Sequence, residues 1–225
     1  MTWIKICGIT NLKDARAAAE AGASALGFVF YEKSSRHVAV EAAREMVAGL
    51  PREVERVGVF VNEPADFVSH VAERVGLTAV QLHGAESTAE FVRHRAEKRD
   101  RSARNIKLIA THSASALEQE DLVISEVVKQ SLYALLLDSG SASAPGGTGK
   151  TFDWEKSYSM VMQMSFIVPV IVAGGLTALN VDAAIRRFRP WGVDVASGVE
   201  AAPGKKDHRK LRAFVDAVRR AEEII

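Results

Sequence analysis

Eight short apolar runs rich in β-branched residues recur along this chain, each followed by an amphipathic stretch, and that alternation constrains the fold more than any other feature. The runs are 3–7 (WIKIC), 24–30 (SALGFVF), 54–61 (VERVGVFV), 78–82 (TAVQL), 106–110 (IKLIA), 132–138 (LYALLLD), 168–173 (VPVIVA) and 191–196 (WGVDVA). Most are continuously apolar rather than alternating, as expected of strands covered on both faces. Between them, 11–21 opens on Asn11 as a cap, repeats apolar residues at helical spacing and stops at Gly22. Residues 39–49, 64–75, 86–98, 114–130, 152–163, 177–188 and 207–223 read the same way. Pro64 suits a first helical turn, and 152–163 is the weakest helix by propensity. Eight strand–helix units predict a parallel sheet, and eight that close on themselves give an α/β architecture, a single (β/α)8 TIM barrel over residues 1–225. An open doubly wound sheet is the alternative that periodicity leaves standing.

Composition narrows the partners. Lysine and arginine total 29 against 28 acids, a net charge of +1, so no global basic excess points to nucleic acid or an anionic membrane. An anionic ligand would have to be held by local geometry. The 225 residues contain one cysteine, which excludes an internal disulfide and a cysteine-rich metal cluster and fits a reducing compartment. No basic stretch followed by an apolar segment suggests a signal peptide, and no apolar run approaches the roughly 20 residues that span a bilayer. A cytoplasmic protein is expected, monomer or homodimer.

Two segments read as connections. Residues 139–151 (SGSASAPGGTGKT) are small or turn-forming and follow the sixth strand, at the end where barrel function resides. Residues 93–104 (RHRAEKRDRSAR) read as a solvated helix end rather than an anion site.

In a parallel barrel the chemistry lies beyond the C-terminal ends of the strands. Those ends carry Cys7-Gly8, the loop from Phe30 through Arg36, Asn62, His83-Gly84, Thr111-His112, Asp138, Gly174-Gly175 and Ser197-Gly198. Polar and glycine residues concentrate there directly after apolar runs. The glycine-rich turns "VAGGL" (172–176) and "VDVASGVE" (193–200) leave backbone N–H groups available for a phosphate, on the two loops where this fold commonly binds one. Asp138 ends an apolar strand, a costly place for a carboxylate unless it faces a wet mouth, caps a helix or is paired. Cys7 ends the first strand and reads either as a small packed group or as a reactive thiol. Around a barrel of roughly 15 Å diameter these two positions stand nearly opposite one another, three strands apart through strands eight and seven, with a sugar-sized gap between them. A proton donor and an acceptor so placed suit acid–base chemistry on a sugar phosphate. Arg36 could hold a carboxylate bidentately, and His83 reads as a hydrogen-bonding wall residue. No His or Cys spacing suggests a metal site, and no strand ends in a lysine.

The segments "KICGIT" (5–10), "GFVFYEKSSR" (27–36), "VGVFVN" (57–62), "VQLHG" (80–84), "LLLD" (135–138), "GGTGKTFDW" (146–154), "VAGGL" (172–176) and "VDVASGVE…PGKKD" (193–207) fall in order across nearly the whole chain, and the set resembles the phosphoribosylanthranilate isomerase family. The resemblance implies a cofactor-independent aldose–ketose isomerisation of a phosphorylated aminosugar, an Amadori rearrangement in tryptophan biosynthesis. It implies Asp138 as general acid, Cys7 as general base, Arg36 on the anthranilate carboxylate, Gly174, Gly175, Ser197 and Gly198 on the phosphate, and supporting positions for His83 and Asp194. A histidine-pathway isomerase or a flavin-binding barrel is the alternative.

Overall fold

The computed structural model describes residues 1–83, 85–97, 105–113, 126–139 and 153–223. Gly84, the start of the helix expected over 114–130, the basic stretch 98–104 and the loop 140–151 lie outside the described residues.

Strands β1 (Trp3–Cys7), β2 (Ala25–Val29), β3 (Glu55–Val61), β4 (Ala79–His83), β5 (Lys107–Ser113), β6 (Ala134–Asp138), β7 (Val170–Val172) and β8 (Gly192–Val195) pair in parallel in chain order and close into a barrel. The β1–β8 pairing, with Lys5 opposite Asp194, makes the closure and excludes the open sheet. Helices α1 (Leu12–Glu20), α2 (Val40–Ala48), α3 (Ala65–Val75), α4 (Ala85–Glu97), α5 (Glu126–Ser131), α6 (Trp154–Ser165), α7 (Val181–Phe188) and α8 (His208–Glu222) alternate with them.

Successive strand residues point to opposite faces, and here both faces are largely buried. One parity, Trp3, Ala25, Val57, Ala79, Ile109, Ala134 and Ile171, forms a cluster of its own within the barrel. The other, including Ile4, Ile6, Leu26, Phe28, Leu82, Leu135 and Val193, packs with helix residues such as Ala15, Val68, Val71, Phe214 and Val218. Phe28, Phe91 and Phe214 are fully buried, each burial worth about 1.5–3 kcal/mol.

The departures from the sequence reading have local causes. The weakest helix forms as α6 because Asp153 caps it, accepting from the N–H groups of Glu155 and Lys156, and Trp154 packs edge-on against Phe188. The helix expected from 177 begins at Val181: Asn180 Oδ1 accepts from Thr177 N at 2.8 Å, and Asn180 Nδ2 donates to Gly175 O at 3.1 Å, so 177–180 is a turn. Strand β5 runs on to Ser113, opposite Asp138. After β8 a 3₁₀ turn (Ser197–Val199) leads into an unanticipated antiparallel hairpin, β9 (Glu200–Ala202) and β10 (Lys205–Lys206).

Candidate active site

The parity that places Trp3 inside the barrel also carries Lys5 and then Cys7 inward as β1 rises to its C-terminal end. There a cavity of about 380 Å³ is lined by Cys7, Val29, Tyr31, Arg36, Val59, Gln81, His83, Asp138, Asp194 and Ala196, among others. The sequence-predicted residues Cys7, Arg36, His83, Asp138 and Asp194 therefore meet in one place.

Cys7 is 8% exposed and packs with Val29 and Val59 at the cavity wall. Its neighbour on β2 has to be glycine: a Cβ on Gly27 would come within 2.8 Å of the Cys7 sulfur. Burial pushes the Cys7 thiol above its ordinary value, against a downward pull from the ammonium groups of Lys5 and Lys206. Asp138 ends β6, half-buried, and accepts a 3.3 Å hydrogen bond from Ser139 Oγ.

Arg36 is oriented by a bidentate pair with Glu200, Nε to Oε1 at 2.9 Å and Nη2 to Oε2 at 2.8 Å. Glu200 is itself held by Lys206 Nζ at 2.9 Å. The same ammonium donates to Cys7 O at 2.6 Å and Ala196 O at 3.2 Å, tying the ends of β1 and β8 together. Burial raises the Glu200 carboxyl, but Arg36 and Lys206 overcome it and hold the group ionised, well below its ordinary value. A guanidinium has five N–H donors, so the pair with Glu200 leaves Arg36 able to grip a ligand carboxylate.

His83 ends β4 with its Nε2 3.4 Å from Gln81 Nε2. Burial, with Lys5 nearby, lowers its pKa to about 4, so the ring is neutral throughout the physiological range. Between its folded value of about 4 and the ordinary 6.5, the unfolded chain binds more protons at this site. Stability therefore rises with pH across that window and is lost as pH falls from 6.5 toward 4, by about 3 kcal/mol at most from this residue. Thermal unfolding followed from pH 7 to pH 4.5 is expected to show a decline that is shallower in His83→Asn; parallel curves for the two proteins would exclude the effect.

Gly174, Gly175, Ser197 and Gly198 do not border that cavity; they occupy the loops after β7 and β8. Gly174 and Gly175 have φ of +83° and +63°, in the left-handed region that favours glycine. A Cβ on Gly174 would lie 2.4 Å from Ser139 Oγ, and one on Gly198 would lie 1.9 Å from Leu176 O. Those contacts pack the loops after β6, β7 and β8 against one another.

A reading confined to strand ends passes over four groups. Lys5 lies two residues below Cys7, fully buried, with Nζ 2.8 Å from Asp194 Oδ1. Gln81 Oε1 is buried in the cavity wall with no hydrogen-bond partner among the described residues, an acceptor that a hydroxylated ligand can satisfy. Glu200 and Lys206 stand inside the motif 193–207, where the spacing of the hairpin that joins them left no signal. Among the described residues no group of three His, Cys, Asp or Glu side chains could hold a metal ion, and no helix is long and apolar enough to cross a membrane.

Residues 4–217 match the family described as N-(5'-phosphoribosyl)anthranilate (PRA) isomerase. The N-(5'-phosphoribosyl)anthranilate isomerase of Pelobacter propionicus is 45% identical over 215 residues, 96% of this chain and 94% of that one. Among solved structures, a phosphoribosyl anthranilate isomerase in complex with reduced 1-(o-carboxyphenylamino)-1-deoxyribulose 5-phosphate aligns with TM-score 0.76 and 38% identity, covering 97% of this chain and 99% of that one. Monomers generated from the dimeric enzyme of Thermotoga maritima align with TM-score 0.77 and 37% identity over the same shares.

Proposed function

Since the chain belongs to the phosphoribosylanthranilate isomerase family, we propose that its cavity rearranges N-(5'-phosphoribosyl)anthranilate with Asp138 as the acid and Cys7 as the base. The overall conversion, to 1-(2-carboxyphenylamino)-1-deoxyribulose 5-phosphate, is an aldose–ketose isomerisation of tryptophan biosynthesis. No atom enters or leaves.

Asp138 gives a proton to the ribose ring oxygen, the C1–O bond breaks, and the anthranilate nitrogen lone pair closes a C1=N iminium. That cation acidifies the C2–H. The Cys7 thiolate takes the C2 proton, and the C–H electron pair becomes a C1=C2 double bond as the iminium collapses to a neutral enolamine. Return of a proton to C1 as the C2 hydroxyl becomes a carbonyl completes the ketone. The observation that carries this reading is the shared cavity: Cys7 from β1 and Asp138 from β6 border one space, three strands apart through β8 and β7. A histidine-pathway isomerase would ask for an aspartate at the end of β1, where this chain has Cys7, and so it is not favoured.

Arg36, braced by Glu200, is assigned to the anthranilate carboxylate. Arg36→Ala should raise the dissociation constant of the reduced product analogue about 10- to 100-fold while turnover at saturation falls less, as loss of a charge-assisted pair implies. Unchanged affinity by titration calorimetry would remove Arg36 from that role. The positive-φ turn at Gly174-Gly175 and the 3₁₀ turn at Ser197-Gly198 supply the phosphate seat.

The rest of the assignment is a cytoplasmic protein, acting without nucleic acid, membrane or cofactor, as monomer or homodimer; the relative from Thermotoga maritima is dimeric. The activity is tested by following the loss of anthranilate-type fluorescence when freshly generated substrate is added. A persistent signal with wild-type protein would refute the function.

A further inference from the structure

Beneath Cys7 lies a buried ion pair that the catalytic assignments leave without a task. Lys5 has no exposed surface, Asp194 is nearly as covered, and Lys5 Nζ stands 2.8 Å from Asp194 Oδ1. Burying two charges is costly, and a pair of this kind is weak evidence of stabilisation in itself. Its location is specific. Lys5 and Cys7 share one strand face at i and i+2, and the place where a Gly27 Cβ would sit is 2.8 Å from the Cys7 sulfur and 3.1 Å from Lys5 Cε. The missing side chain at Gly27 thus lets the sulfur and the lysine stem converge.

We propose that Lys5, anchored by Asp194, is a positioning residue that stabilises the thiolate of Cys7 when that group accepts the substrate proton. The inference rests on the assignment of Cys7 as base. An ammonium has three donors, and the described hydrogen bonds give Lys5 one oxygen acceptor, Asp194, which leaves N–H groups for the sulfur above. The other charged groups facing Cys7 are Asp194 on β8, Lys206 on β10 and Arg36 on the loop after β2. Lys206 is committed to Cys7 O, Ala196 O and Glu200, and Arg36, paired with Glu200, is assigned to the ligand carboxylate. Asp194 opposes the thiolate but fixes the ammonium that favours it. Burial is the leading influence that pushes the thiol up, with Asp194 adding to it, and Lys5 leads the groups that oppose them.

The chain has one cysteine, so alkylation by iodoacetamide reads Cys7 alone. In Lys5→Met, checked for fold by circular dichroism, the pH midpoint of alkylation should rise by about one unit or more, the size expected on losing a close opposite charge. Lys5→Arg should stay near wild type. Lys5→Gln should also move the midpoint up, because its amide keeps N–H donors but carries no charge; this polar variant carries the test should Lys5→Met not fold. The acid limb of kcat/KM should shift in step with each. Wild-type midpoints in Lys5→Met, or in Lys5→Gln where only that variant folds, would overturn the inference and leave the reaction assignment intact. Full turnover by Cys7→Ala would instead remove Cys7 as base, whatever the alkylation profiles show.

Discussion

Cys7→Ala is expected to lower turnover roughly a thousandfold or more, the range that a lost general base commands, while the affinity for the reduced product analogue stays within a few-fold of wild type. The reasoning is geometric. The side chain lines the cavity wall beside Val29 and Val59, and Lys5 beneath it keeps its pair with Asp194 without the sulfur, whereas the backbone carbonyl, which anchors Lys206, survives the substitution. Ring opening does not require the thiol, so bound substrate in this variant should still reach the iminium and be trapped at C1 by cyanoborohydride as a reduced amine. Measured turnover near wild type would remove Cys7 from the chemistry.

Asp138→Asn is expected to cause a comparable loss, roughly a hundred- to ten-thousandfold, for a different reason. An amide cannot deliver the proton that the ring oxygen needs, so the substrate stays cyclic and cyanoborohydride has no iminium to reduce. The Asn side chain fills the same space and can still accept from Ser139 Oγ, so thermal stability should change little. Trapping in Cys7→Ala but not in Asp138→Asn orders the two steps; equal trapping in both would contradict the assigned acid.

Much of this was legible in the chain because strands covered on both faces read as continuous apolar runs, and these fell within a few residues of the observed β1–β8. The candidate site could be proposed from the chain for the same reason, and Cys7, Arg36, His83, Asp138 and Asp194 line one cavity, whereas Gly174 and Gly175 lie outside that lining. A cysteine, an aspartate and paired glycines directly after apolar runs stand out when only strand ends are read. That filter also hid Lys5, which lies within β1 yet is placed beneath Cys7 by the two-residue strand period. Glu200 and Lys206 were hidden differently: their partnership depends on a hairpin whose turn, with Gly204 at φ +75°, brings residues six apart into contact. Helix starts shifted where a side chain closed a turn first, as Asn180 does after β7.

The most direct measurement is a crystal structure of this chain soaked with reduced 1-(o-carboxyphenylamino)-1-deoxyribulose 5-phosphate. The expected result has the sugar chain lying across the barrel mouth, the sulfur on one flank at C2, the β6 carboxyl on the other within about 3 Å of the former ring oxygen, and Arg36 on the aryl carboxylate. A ligand seated outside this cavity, or a sulfur turned away from C2, would contradict it.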